Sequence, residues 1–175
     1  MKNSIHISSQ TSSIFSIAFY MINKEKNEFN SHNIYYYPSS HIHINKKEFL
    51  LPCLLCEDYV ITQIEIILLY FEKLYIVPKL LPQEIKNLWK ERLLIKELIK
   101  ILSEENYIDL LSLFVEKENI SNKYFYLSTV LILSGIISYK NLYNLSHSNL
   151  IIFDQAYLNK NSVISTSKYF LKDIH

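Results

Sequence analysis

From residue 58 onward, apolar residues recur at three- and four-residue steps, the spacing that puts side chains on one face of a helix. Val60, Ile61, Ile64, Ile67, Leu68, Phe71 and Leu74 form the first such stripe, with Asp58 as its N-cap and Pro78 as its stop. The β-branched residues at its start favour a strand. The run exceeds an ordinary strand in length, however, and a helix is expected throughout. Pro82 then sits near the first turn of a second helix, where a missing N–H costs little. Ile85, Leu88, Trp89, Ile95, Leu98, Ile99 and Leu102 make its apolar face, with Lys86, Lys90, Glu91, Glu97 and Lys100 on the others, so Trp89 is expected as a core anchor. Ser103, Glu104 and Glu105 open a third helix, and Tyr107, Leu110, Leu111 and Phe114 follow at helical spacing. Ser121 is expected to cap a fourth over residues 124–139, apolar nearly all round and therefore central, with Gly135 permitting close approach of a neighbour. Residues 146–158 and 165–174 are weaker helical stretches.

The N-terminal third has no such rhythm. Residues 1–13 are polar and serine-rich and are expected to be mobile. Residues 14–21 suit a short helix or strand, and 23–33 a charged connector. Residues 35–44 are the least regular, with Pro38 biasing Tyr37 towards extended geometry. The pattern predicts an all-α protein, one compact domain: a helical core over 58–175 behind an N-terminal segment, 1–57, that includes an irregular aromatic strap.

Composition narrows the function. Hydrophobic residues are 49% and charged residues 20%, as in a globular chain. Eighteen basic residues against 17 acidic leave a net charge of +1, without the basic excess that nucleic acid or an anionic membrane surface calls for. No stretch reaches the length of a membrane span. Two cysteines in a chain of this size fit a reducing compartment, and a cytoplasmic location is expected. The mean hydropathy of +0.06 is high and suggests surface reserved for a partner. The 14 tyrosines accompany abundant Ile, Lys and Asn, a bias of AT-rich coding, and are weak grounds for an aromatic binding surface.

Chemistry is sparse. One glycine, Gly135, in 175 residues excludes a Gly-rich phosphate loop, a dinucleotide fingerprint and a glycine-flanked nucleophile elbow. It also argues against two-residue hairpin turns. His41 and His43, with Cys53 and Cys56, have ligand types for zinc, but Leu54 and Leu55 fill the gap where structural zinc loops turn, so buried thiols are expected and metal is the minor alternative. A Cys–His nucleophilic pair lacks a visible orienting acid and oxyanion donors. Glu57–Asp58 and Glu104–Glu105 suit helix N-termini. The residues predict no catalysis and no cofactor.

The stretch 36–43, Tyr-Tyr-Pro-Ser-Ser-His-Ile-His, resembles the opening signature of the SctK family of type III secretion systems: an aromatic-rich segment, a proline, then an aromatic–aliphatic–histidine triplet. Pro38 and Ile42-His43 match; His41 stands where the family prefers tyrosine, and Ile44 where it often has proline. A second similar segment runs over 73–81, with Pro82 in place of a closing glycine, and a third lies in the apolar helix from Phe125 with 142–153. Length and low glycine content look most like the version from attaching-and-effacing enterobacteria. The resemblance implies a non-enzymatic structural adaptor of the secretion sorting platform, peripheral to the inner membrane through protein contacts. It would link the cytosolic domain of the inner-membrane ring protein to the C-ring or pod protein. Tyr36, Tyr37, Pro38, His41, Ile42 and His43 are the expected partner-binding residues, although such a segment also packs onto its own domain. The alternatives are a small helical chaperone, inhibitor or immunity protein with a single partner, a structural subunit of a large assembly such as an organellar ribosome, and a zinc-stabilised enzyme or domain.

Overall fold

A computed structural model of the chain describes residues 4–10, 13–26, 33–57, 59–74, 78–118, 120, 125–140, 147–157 and 159–170. These hold six strands and seven helices, so the all-α expectation is corrected: the fold is α/β. The first of the missed strands is β1, Ser4–Ser8, whose Ser-Ile-His-Ile-Ser sequence alternates with period two. Its serines hid the alternation. Ile5 and Ile7 point into the core, while Ser4, His6 and Ser8 are buried on the opposite face.

The first helix, α1 (Ile14–Glu25), follows, and then β2 (Asn33–Tyr37) pairs parallel to β1 with Ser8 opposite Tyr37. Parallel neighbours need a crossover, and α1 supplies it. The chain next makes a separate two-stranded hairpin, β3 (His41–Ile44) with β4 (Lys47–Leu50), before returning as β5 (Cys53–Cys56) antiparallel to β1. The last strand, β6 (Tyr59–Ile61), pairs with β5 and completes a sheet of order β2-β1-β5-β6. The irregular strap is thus one sheet strand and one arm of a hairpin. The boundary drawn at 57/58 falls between two paired strands, and Val60 and Ile61 belong to β6, with helix α2 (Ile64–Leu74) starting three residues later.

Two-residue turns do occur without glycine. Ile44 pairs with Lys47 across Asn45 and Lys46, both at positive φ (49° and 65°), and Glu57 takes φ 54° beside the Cys56–Tyr59 pair. Asparagine tolerates the left-handed region because its short side chain bonds locally. Tertiary pairing holds Lys46 and Glu57 there against their preference.

The remaining helices are α3 (Ile85–Ile101), α4 (Tyr107–Glu118), α5 (Leu127–Lys140), α6 (Ser148–Gln155) and α7 (Asn161–Phe170). Every residue of α5 from Leu127 to Ser138 is buried, because α1, α3, α4, α6 and α7 all pack on it. At Gly135 an added Cβ would lie 2.8 Å from a methyl of Leu102 and 3.2 Å from one of Leu111. Helix α3 is rotated from the expected orientation. Glu91, Ile95 and Leu98 face inward and Trp89 is 59% exposed, so it is not a core anchor. The caps expected at Asp58 and Ser121, and the end of the terminal helix at 171–174, lie outside the described residues. Among the described residues, no helix is long and apolar enough to cross a membrane.

One polar joint ties the sheet to the helices. The Lys26 ammonium, at the end of α1, donates to the Pro78 carbonyl (2.9 Å) and pairs with Glu72 Oε2 of α2 (2.8 Å). Glu72 Oε1 accepts from the backbone N–H groups of Leu80 and Leu81, and the Leu80 carbonyl accepts from Leu127 N at the start of α5. Removing one member of a buried pair leaves the other charge unmatched, at a cost of about 3–5 kcal/mol. Glu72→Ala is expected to lower the urea unfolding free energy by roughly that amount. Gly135→Leu, which has no room against Leu102 and Leu111, is expected to lower the midpoint of the same titration.

Candidate functional site

The site assembles where the parallel pair ends. Ser8 closes β1, Tyr37 closes β2, and the turn into α1 runs between them through Ser9, Gln10 and Ser13. Thr11 and Ser12 lie outside the described residues. Ser9 donates twice to the Tyr37 carbonyl, from its N–H (2.7 Å) and its Oγ (3.0 Å). Gln10 donates from Nε2 to the Pro38 carbonyl at 3.1 Å and from its N–H to Ser8 Oγ at 3.1 Å. Under the turn, buried Ser16 accepts from Ser8 N (3.0 Å) and from Ser13 Oγ (2.8 Å). These bonds hold the loop tightly without a glycine.

The start of α1 is left without a side-chain cap. Ser13 occupies the N-cap position, but its hydroxyl bonds to Ser16, and the first turn carries no acidic residue. A helix N-terminus concentrates unsatisfied N–H groups and about half a positive charge. The antiparallel register His6↔Cys53 brings the cis Leu51–Pro52 peptide to the same end of the sheet as Ser8, and the Leu51 N–H donates to the Ser40 carbonyl at the hairpin base.

Behind this edge, His6 is 7% exposed and stacks between Tyr35 and Tyr37, with ring centroids 5.1 and 5.6 Å away. One ring nitrogen bonds with the Tyr37 hydroxyl and the other with Ser4 Oγ, both at 2.9 Å. Burial pushes the His6 pKa down, keeping the imidazole neutral, and burial chiefly raises that of Tyr37. Burial also pushes the Cys53 thiol up to about 11. At neutral pH the imidazole is uncharged and the phenol and thiol keep their protons. The cluster fixes Tyr37, and the anion-receptive element is the N-terminus of α1.

The residues singled out from sequence do not converge. Tyr36 turns to the opposite face, where its ring lies 6.2 Å from Tyr20 of α1 and 5.7 Å from Tyr169 of α7. Tyr37 and Pro38 touch the site through a hydroxyl and through carbonyls. His41 and His43 are exposed on the outer face of β3, with His41 bonded to Ser40 Oγ, and Ile42 pairs with Phe49 on the inner face. Among the described residues, no three of His, Cys, Asp or Glu come together to hold a metal ion. Ser8, Ser9 and Ser13 were missed as a serine-rich tail. Their signal was the alternation of residues 4–8 followed by a hydroxyl-rich turn and an apolar run.

No family model and no curated protein matches the chain. Solved structures do. A glutathione transferase family member from Pseudomonas fluorescens Pf-5, with bound glutathione, superposes with a TM-score of 0.71 at 13% identity, covering 94% of this chain and 98% of that one. Glutathione transferase Omega 3C from Trametes versicolor gives 0.69 at 15% identity over 95% and 89%. Maleylacetoacetate isomerase from Anaeromyxobacter dehalogenans 2CP-1, with bound dicarboxyethyl glutathione, gives 0.66 at 13% over 96% and 92%. At such identities the likeness shows the fold, which is that of the glutathione transferases.

That fold overturns the SctK resemblance. With it go the sorting-platform adaptor, the ring and pod partners, the attachment to the inner membrane, and the alternative of a helical chaperone or inhibitor. The expectation of a non-enzymatic protein is corrected as well, since these three solved structures of the same fold are two transferases and an isomerase. Short proline-bounded aromatic motifs carried the resemblance, and they describe one edge strand and a hairpin here.

Two measurements check the electrostatics. At pH 8 a thiol reagent is expected to modify half-buried Cys56 while Cys53, fully buried and protonated until about pH 11, stays unmodified until the protein unfolds. His6 binds a proton more weakly folded than unfolded, so the unfolded state takes up more protons below the ordinary histidine pKa. Stability should therefore fall as pH drops below about 6.5, and His6→Gln should flatten that slope.

Proposed function

We propose that the chain binds glutathione at the junction of β1 and α1 and catalyses attack of the glutathione sulfur on an electrophilic carbon. The observation that carries this reading is the uncapped, acid-free N-terminus of α1, set among serine hydroxyls at the carboxyl ends of the parallel pair β1 and β2. A thiol has a pKa of about 8.5 in water. Beside a helix N-terminus its thiolate is favoured, which raises the reactive fraction at neutral pH. The bound glutathione and glutathione conjugates of the fold's solved members support the same ligand class.

In this reading Ser9 and Ser13 turn their hydroxyls from the Tyr37 carbonyl and Ser16 towards the sulfur, and the first N–H groups of α1 supply the remaining donors. The thiol proton goes to water. The sulfur lone pair forms the new carbon–sulfur bond, and the leaving group departs with the electrons of the bond that breaks. Cys53 takes no part, being buried and protonated.

Calorimetric titration with glutathione, with conjugation of 1-chloro-2,4-dinitrobenzene followed by absorbance, tests the proposal. Ser9→Ala and Ser13→Ala should each lower kcat/KM about tenfold, the scale of one lost helix-terminal interaction of 1–2 kcal/mol. Ser13→Asp should raise stability by about 1 kcal/mol as a true cap and abolish conjugation by placing a carboxylate where the thiolate belongs. Absence of saturable glutathione binding up to about 10 mM, weaker than roughly 3 kcal/mol, overturns the reading.

A further inference from the structure

We propose that the cavity between α3 and the start of α5 binds a small organic ammonium ion. The cavity has a volume of about 240 Å³. Its apolar wall is formed by Pro82, Leu94 and Ile120, and two carboxylates, Glu91 and Glu118, line it.

Glu91 is 4% exposed, and its oxygens each accept one bond from Ser128, Oε1 from the N–H at 2.8 Å and Oε2 from the hydroxyl at 3.0 Å. An ionised carboxylate has about four acceptor positions, so capping α5 uses half of them. Among the described residues Glu91 makes no ion pair, and its hydrogen bonds come from Ser128. Burial holds the carboxyl above its usual range despite those bonds. A buried carboxylate with open acceptor positions and no positive partner is costly, and an ammonium entering the cavity removes that cost.

Glu118 pairs, among the described residues, with its exposed neighbour Lys117 at 3.7 Å and adds a second negative charge to the cavity. Lys90 lines the mouth and is exposed to solvent, where it disfavours dications more than monocations. The ligand class is therefore a monoamine with a compact hydrocarbon body.

Benzylammonium chloride is the probe, with benzyl alcohol and benzoate as isosteric controls, read by thermal midpoint and by calorimetry at pH 6. Benzylammonium should saturate and raise the midpoint; the two controls should do neither. Glu91→Gln keeps an acceptor for Ser128 and removes the charge, so benzylammonium affinity should fall at least tenfold. Leu94→Trp leaves the carboxylate in place and fills the cavity, so binding should disappear. Equal binding of benzyl alcohol, undiminished binding by Glu91→Gln, or retained binding by Leu94→Trp would each overturn the proposal. None of these readouts involves glutathione.

Discussion

The joint built on Lys26 decides how the two halves of this molecule meet. Lys26 directly follows the last residue of α1, yet its ammonium is fully buried, between a carboxylate of α2 and the carbonyl of Pro78. Glu72 answers that charge and also collects the N–H groups of Leu80 and Leu81, which have no helix or strand to satisfy them. Leu80 in turn bonds to the first residue of α5. An ion pair withdrawn from water is favourable only when its remaining hydrogen-bonding positions are filled. Here the connection from the sheet half to the helical half fills those of Glu72 Oε1 and one on the Lys26 ammonium. The connecting segment is thereby held in one path, and α5 enters the core in one place.

Helix α5 then acts as the common wall. Buried on all sides, it needs no polar face, and its sequence accordingly has none until Lys140. Two contacts with other helices adjust it. Glu91 of α3 accepts from the N–H and hydroxyl of Ser128 in the first turn of α5, and Gly135 lets Leu102 and Leu111 close to the distance of a missing Cβ. Placing Glu91 inward rotates α3 and turns Ile85, Trp89 and Leu93 outward, all more than half exposed. One buried carboxylate thus controls which face of the longest helix meets solvent.

At the far end of the sheet the same economy shapes the candidate active site. The hydroxyls of Ser8, Ser9, Ser13 and Ser16 are bonded within the turn or to β2, which positions the loop without glycine. Donors that remain are backbone N–H groups at the start of α1. Such a site favours an anion brought by the ligand rather than a nucleophile of the protein, in keeping with the protonated state of Cys53 and the neutral state of His6.

The helical half was readable in advance because its apolar residues repeat every three or four positions, and that repetition survives whatever the helices pack against. Five helices from α2 to α6 fall within stretches marked by that rhythm. The sheet half was not readable in the same way. Ser4–Ser8 alternates, but burial of its serines and histidine on the second face depends on Tyr35, Tyr37 and Cys53, which arrive from elsewhere in the chain. Hydroxyls of Ser8, Ser9, Ser13 and Ser16 looked like solvated composition until strand pairing gathered them at one helix end. Local periodicity is a property of neighbours along the chain, whereas strand partners, buried charges such as Lys26 and Glu91, and the direction in which Trp89 points are settled by residues dozens of positions away.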